Sequence, residues 1–246
     1  MTAAIKIFAN TQALAQAVAL ELQKEAAGAK GQGRLLHLVL AGGGTPKAIY
    51  QYLLRPELRD SIAWEVVHFY FGDERCVVPD HQDSNYKMAR DALLGPLAIA
   101  EQKIHRMRGE NDPVAEASRY AGEIRASLNT PAGELPRFDW ILLGLGTDGH
   151  TASIFPGVNL EEESSGICAI SRHPQSGQER VTLTMDVLNR AKRVGFIATG
   201  KEKAPIVAEI LNPSPNSQNY PAAHVRPNQG TLEWFLDAEA ASELKL

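Results

Sequence analysis

Cysteine is scarce in this sequence: Cys76 and Cys168 are the whole supply in 246 residues. Two thiols build neither a disulfide framework nor a zinc cluster, and unpaired thiols suit a reducing compartment. Long hydrophobic runs are missing too. No window approaches the roughly 20 apolar residues that a membrane helix needs. Asn10, Thr11, Gln12 and Gln16 interrupt the stretch that a secretory leader would keep apolar. A surplus of positive charge is also absent. With 25 Lys and Arg against 29 Asp and Glu, the formal net charge is −4, so nothing draws the whole chain to nucleic acid. These absences give the expectation of a cytoplasmic protein that meets neither membrane nor nucleic acid. Any anion it binds must be held by local basic residues against the overall field.

What is present points to a packed α/β protein. Hydrophobic residues make up 44% of the chain, enough for a sizeable core, and the length fits one domain over residues 1–246. Apolar spacing predicts strands over 5–8, 35–40, 66–71, 104–107, 140–145, 180–184, 194–199 and 231–236. Helical spacing covers 11–24, 84–94, 113–128 and 201–211, and a further helix opens at Pro46 behind an N-cap at Thr45. A polar loop is expected after residue 71, and 161–165 and 212–219 read as surface loops. The alternation of strand and helix implies a mostly parallel sheet with helices on both faces. The unbroken run Ile141-Leu142-Leu143 fits a strand buried on both sides. In such sheets a ligand sits beyond the carboxyl ends of the strands, so the residues that follow each strand carry the functional information.

Four strand ends stand out. Gly42-Gly43-Gly44-Thr45-Pro46 lets the backbone approach a ligand closely, and the helix behind it offers free N–H groups to an anion or a sugar oxygen. No Gly-Lys-Ser/Thr follows, so this is not a P-loop. Asp73-Glu74-Arg75 places three charges directly after an apolar strand. Arg75 has the geometry to clamp a phosphate, while a solvated loop remains the alternative. Gly144, Gly146 and Gly149 spell a formal G-x-G-x-x-G, yet Pro156 and Gly157 cut short the helix that a dinucleotide site requires. The better reading is a turn that presents Asp148 and His150 at the rim of the sheet, where a His beside an Asp suits a base near neutral pH. Lys201 and Lys203 sit at a helix start, against the macrodipole, which hints at phosphate binding, with two solvated lysines as the alternative. Arg180 is a further basic candidate. Asp80, His81, Asp83 and His68 match no defensible metal spacing, and His37, His105 and His173 look scattered.

Seven segments in order carry a resemblance: residues 40–46, 71–79, 83–86, 138–157, 180–184, 200–204 and 221–227. On these the chain resembles the 6-phosphogluconolactonases of the glucosamine/galactosamine-6-phosphate isomerase superfamily, almost from end to end. The resemblance implies a Rossmann-like sheet and hydrolysis of a phosphorylated sugar lactone, the second step of the oxidative pentose phosphate pathway. It also implies roles. His150 is the base with Asp148 nearby, and the glycine loop at Gly43, Gly44 and Thr45, Arg75 and Lys203 contact the substrate, chiefly its phosphate, with Asp73 and Arg180 as further candidates there. No metal or cofactor is implied, and a monomer or small homo-oligomer is expected.

Two rivals remain. The superfamily's glucosamine-6-phosphate deaminases carry a similar Asp-Gly-His followed by a Glu that partners the His. Here Phe155 stands seven residues after Asp148 and cannot do that work, while Asp73 is shared and does not discriminate. A sugar-phosphate sensor on the same fold would need an output module, and the first strand begins by about Ile5. The chain has no Gly-x-Ser-x-Gly elbow for a serine acyl-enzyme, so a water activated by His150 is the expected nucleophile.

Overall fold

The computed structural model describes residues 3–212 and 215–245. Pro213 and Ser214, part of the expected loop at 212–219, lie outside the described residues, as do Met1, Thr2 and Leu246. In chain order, β1 (Ala4–Phe8) leads to α1 (Thr11–Gly31), β2 (Leu36–Leu40), α2 (Gly44–Tyr52) and the single turn α3 (Pro56–Arg59). β3 (Val67–Phe71) is followed by the short β4 (Asp73–Arg75) and by α4 (Asn85–Ala89), which widens into a π-helical turn over Arg90–Leu94. Next come α5 (Pro113–Ser127), β5 (Trp140–Leu143), β6 (Glu161–Glu162), β7 (Cys168–Arg172) and β8 (Glu179–Leu183). The last elements are α6 (Met185–Arg190), β9 (Arg193–Ala198), α7 (Ala204–Leu211) and β10 (Thr231–Asp237).

Six strands form an all-parallel sheet in the order β1-β10-β9-β5-β2-β3. Side chains alternate across it with the period of two that a strand imposes. Leu36, Leu38, Leu40, Trp140 and Leu142 pack with Leu14, Val18 and Leu22 of α1 and Ile49 of α2. Val39, Ile141, Leu143 and Phe196 pack on the other face, with Tyr120 and Ile124 of α5 and Val207 of α7. Burying each such side chain contributes about 1.5–3 kcal/mol. Two-sided burial is why these strands read as unbroken apolar runs. β2 has β3 on one side and β5 on the other. The chain therefore reverses its direction of sheet building there, and a crevice opens between the carboxyl ends of β2 and β5.

The structure departs from the sequence pattern in several places. The expected polar loop after β3 opens with the short strand β4 before it runs on to α4, and the expected strand at 180–184 does not join the parallel sheet. β4, β8, β7 and β6 form a separate antiparallel sheet in that order, and β6 takes up part of the expected 161–165 loop. The polarity of Asp73 and Glu74 suggests exposure, yet they are 7% and 3% exposed because hydrogen bonds satisfy them. The strand expected at 104–107 is one bridge between Ile104 and Phe69. Thr45 does not cap α2. Gly43 does, at φ +105°, a backbone shape that a residue with a Cβ rarely adopts. Thr45 Oγ1 is instead 2.7 Å from Thr199 Oγ1. The expected 201–211 helix begins as a 3-10 turn over Lys201–Lys203. Among the described residues no helix is long and apolar enough to cross a membrane.

Two of the histidines that look scattered in sequence, His37 and His105, meet His68 in the fold. His37 and His68 open β2 and β3, and His105 joins them at the amino-terminal end of the sheet. His105 Nε2 is 2.9 Å from His68 Nδ1, and its Nδ1 is 2.8 Å from Glu123. His37 Nδ1 is 3.0 Å from the Tyr70 hydroxyl. Burial, then the neighbouring His105, lowers the His68 pKa to about 4, and burial also lowers that of His37. The unfolded chain takes up these protons near pH ~6.5 and the folded chain does not. Their contribution to stability is therefore complete above that pH and is lost as pH falls toward 4. The thermal midpoint is expected to drop between about pH 7 and about pH 5, and to drop less in His68→Gln. Equal drops in the two proteins would exclude His68 as a source.

Candidate active site

Loops at the carboxyl ends of β2, β3, β5 and β9 enclose a cleft of about 220 Å³. Its floor is backbone. A Cβ on Gly42 would lie 2.0 Å from Asn85 Oδ1, so only glycine lets the strand end approach that side chain. Gly43 offers no side-chain cap to α2, which leaves the first amides of the helix free for an anion at the edge of the cleft.

One wall is the turn after β5. His150 Nδ1 is 2.5 Å from Asp148 Oδ1, and the same oxygen accepts the His150 amide at 3.2 Å. The carboxylate selects the Nδ1–H tautomer and leaves the Nε2 lone pair available to a substrate. Burial works to raise the Asp148 pKa, but the charge and hydrogen bonds of His150 outweigh it, so the carboxyl lies below its ordinary value. The turn is wedged in place. A Cβ on Gly146 would fall 2.1 Å from His150 Nδ1. Gly149 sits at φ +81° beneath the Tyr220 ring, its carbonyl accepting the Ala222 amide at 3.1 Å. Thr151 Oγ1 donates to the Gly144 carbonyl at 3.0 Å. The His150 ring rests on buried Phe155, with centroids 4.7 Å apart. No helix follows Gly149. Thr151 and Ile154 close a tight bridge instead, unlike a dinucleotide-binding turn.

The opposite wall is cationic and comes from the small sheet. The β4–β8 register sets Arg75 directly across from Arg180. Like charges in that position repel. Burial, then the charge of Arg75, lowers the Arg180 pKa. The Nε atoms of both arginines are buried without a hydrogen-bond partner. A buried donor without a partner is costly, and an anion between the two guanidiniums would relieve both the repulsion and the shortfall. Glu74 turns away from this wall. Its carboxylate accepts from the amides of Arg75, Asn85 and Tyr86 and from the Ser84 hydroxyl at 2.7–3.0 Å. Burial nevertheless raises its pKa against those bonds. Its place is structural, at the start of α4.

Gly43, Gly44, Thr45, Asp73, Arg75, His150, Arg180 and Lys203 all line the cleft, and Asp148 stands behind His150. Lys201 is exposed and is not part of the lining. His68 is at the far end of the sheet from Asp80, which pairs with Arg90 at 2.8 Å, so the paper set of Asp80, His81, Asp83 and His68 does not assemble. Sequence reasoning did not single out Asn85, Gly146, Ala152 or Ser153 as site residues. The first three line the cleft, and Ser153 is buried beneath it. All four stood inside the motifs at 83–86 and 138–157, and Gly146 also in the formal G-x-G-x-x-G, but nothing in their residue types marked them as site residues.

A family model described as glucosamine-6-phosphate isomerases/6-phosphogluconolactonase matches residues 9–234. A 6-phosphogluconolactonase of Haemophilus influenzae is 39% identical over 206 residues, 83% of this chain and 86% of that protein. A human 6-phosphogluconolactonase is 38% identical over 244 residues, 96% of this chain and 92% of that protein. A solved structure of the 6-phosphogluconolactonase from Trypanosoma cruzi superposes with a TM-score of 0.86 at 30% identity, covering 100% of this chain and 99% of that one.

Because Gly146 leaves no room for a Cβ, Gly146→Ala is expected to keep the cooperative fold and break the His150–Asp148 bond. In ¹⁵N-labelled protein the strongly downfield Nδ1 proton of His150 should then disappear. Its survival would mean that the turn yields instead.

Proposed function

The chain belongs to the family of glucosamine-6-phosphate isomerases and 6-phosphogluconolactonases, and we propose that it hydrolyses 6-phospho-D-glucono-1,5-lactone to 6-phosphogluconate. The observation that carries this reading is one cleft that holds an Asp-oriented histidine on one wall and two opposed arginines on the other. His150 Nε2 takes a proton from water as the water attacks C1. Asp148 holds the tautomer and stabilises the imidazolium that forms. The tetrahedral oxyanion is met by amides of the glycine-rich strand ends. As the bond from C1 to the ring oxygen breaks, His150 returns its proton to that oxygen, and the product is the open-chain acid. Arg75, Arg180, Lys203 and the amino terminus of α2 receive the phosphate.

General-base help supplies about 10²–10⁴-fold, which is sufficient for a lactone that already opens unaided. A deaminase reading has less support, because the ring that touches His150 is Phe155, which has no carboxylate to share in proton transfer. The two sheets act as one catalytic unit, since each supplies one wall of the site. Free Cys76 and Cys168 favour a cytoplasmic setting, where this step of the oxidative pentose phosphate pathway belongs.

The lactone, generated in place from glucose 6-phosphate by its dehydrogenase, should disappear faster with the protein than without it, in the presence of EDTA. His150→Ala is expected to lower kcat by about 10²–10⁴-fold. Lys203→Ala should act mainly on KM. A lactone half-life unchanged by the wild-type protein would refute the reading, and ammonia release from glucosamine 6-phosphate would then favour the deaminase.

A further inference from the structure

Ser153 is fully buried, at 0% exposure, and stands three residues beyond His150 on the same turn. Its hydroxyl donates to Asp73 Oδ2 at 2.6 Å and accepts from Arg180 Nη1 at 3.4 Å. Its amide donates to Thr182 Oγ1 at 3.2 Å, and Thr182 is the cross-strand partner of Asp73. The other Asp73 oxygen accepts from Asn85 Nδ2 at 3.2 Å. Arg180 Nη1 itself remains 3.9 Å from the Asp73 carboxylate, beyond a direct hydrogen bond. Carboxylate and guanidinium are thus joined through the serine hydroxyl. Between His150 and Ser153 the chain passes through Ala152 at φ +49°. A residue with a Cβ holds that left-handed conformation only where its surroundings impose it.

We infer that Ser153 is a positioning residue for the phosphate end of the site: its hydroxyl, anchored on Asp73, holds the Arg180 guanidinium in place opposite Arg75. The inference rests on the lactonase reading above. Because Ser153 and His150 share one turn, the same contact sets the span between the phosphate clamp and the base. Asp73 becomes an anchor with both oxygens engaged, not an acid or a base. A lactone that carries a phosphate gains from a fixed Arg180. A lactone without one has nothing for Arg180 to hold.

The test compares wild-type protein, Ser153→Ala and Ser153→Cys, the last keeping the side-chain volume while weakening the hydrogen bond. Each is assayed on 6-phosphogluconolactone and on unphosphorylated D-glucono-1,5-lactone. Losing the hydroxyl's hydrogen bonds to two charged groups should raise KM for the phosphorylated lactone about tenfold. kcat should change less than about threefold, and its pH dependence should not move, since the His150–Asp148 pair is untouched. kcat/KM for the unphosphorylated lactone should stay at the wild-type value. Adding Ser153→Ala to Arg180→Ala should cause no further rise in KM, as expected when one residue acts through the other. Equal losses on both lactones, a shifted pH profile or additive effects would overturn the assignment. If Ser153→Ala does not fold, Ser153→Cys carries the same comparison. Inorganic phosphate gives a readout that needs no activity. At one phosphate concentration it should raise the thermal midpoint of the wild-type protein more than that of Ser153→Cys, and equal shifts would overturn the assignment. Failure of the wild-type protein to open the phosphorylated lactone would instead refute the functional reading.

Discussion

Two guanidinium groups face each other across the β4–β8 pair, and much of the site is arranged around that repulsion. The antiparallel register puts Arg75 opposite Arg180, and neither Nε finds a partner. A fold selected for stability alone would separate such a pair or place a carboxylate between them. The nearest carboxylate, Asp73, instead sits beside Arg180 and reaches it through Ser153. The charge is held and only partly neutralised, and attraction for an incoming anion is kept. The mildly acidic chain, with a net charge of −4, makes this concentration of positive charge a local feature of the cleft.

The other half of the site depends on backbone crowding. The strand ends can meet at the crevice between β2 and β5 because glycines stand where side chains would collide, at Gly42 against Asn85 and at Gly146 against His150. Close approach brings free amides to the cleft and pins the imidazole in one orientation against Asp148 and Phe155. Precision of this kind matters at any reacting group, where a displacement of about 1 Å costs on the order of 10²-fold in rate.

The parallel sheet was legible in the sequence because its inner strands are buried on both faces and so appear as largely apolar runs between helical patterns. The strand ends were legible because glycine and charge directly after such runs have few structural explanations. Of the antiparallel sheet only β8 was legible, as the strand expected at 180–184. β4 is three polar residues long and is defined by a partner more than a hundred positions away, and β6 is two exposed glutamates paired with the neighbouring β7. Glu74 is buried through hydrogen bonds to four neighbours, and no local pattern announces that. Thr45 fits the composition of an N-cap, yet its hydroxyl found a partner 154 positions away and the cap passed to Gly43. The histidines at positions 37, 68 and 105 show no sequence spacing, because adjacent parallel strands and a bridge bring them together.

The sequence by itself determined the layered α/β architecture and the set of candidate groups, His150 beside Asp148 among them, since periodicity, glycine placement and a two-residue separation are local properties. Only the tertiary structure decided which cations face one another, that Asp73 is an anchor with both oxygens occupied, and that Ser153 joins the two walls. Those relations depend on strand register and long-range packing, which no local stretch of sequence encodes, and through them charges far apart in the chain share one cleft.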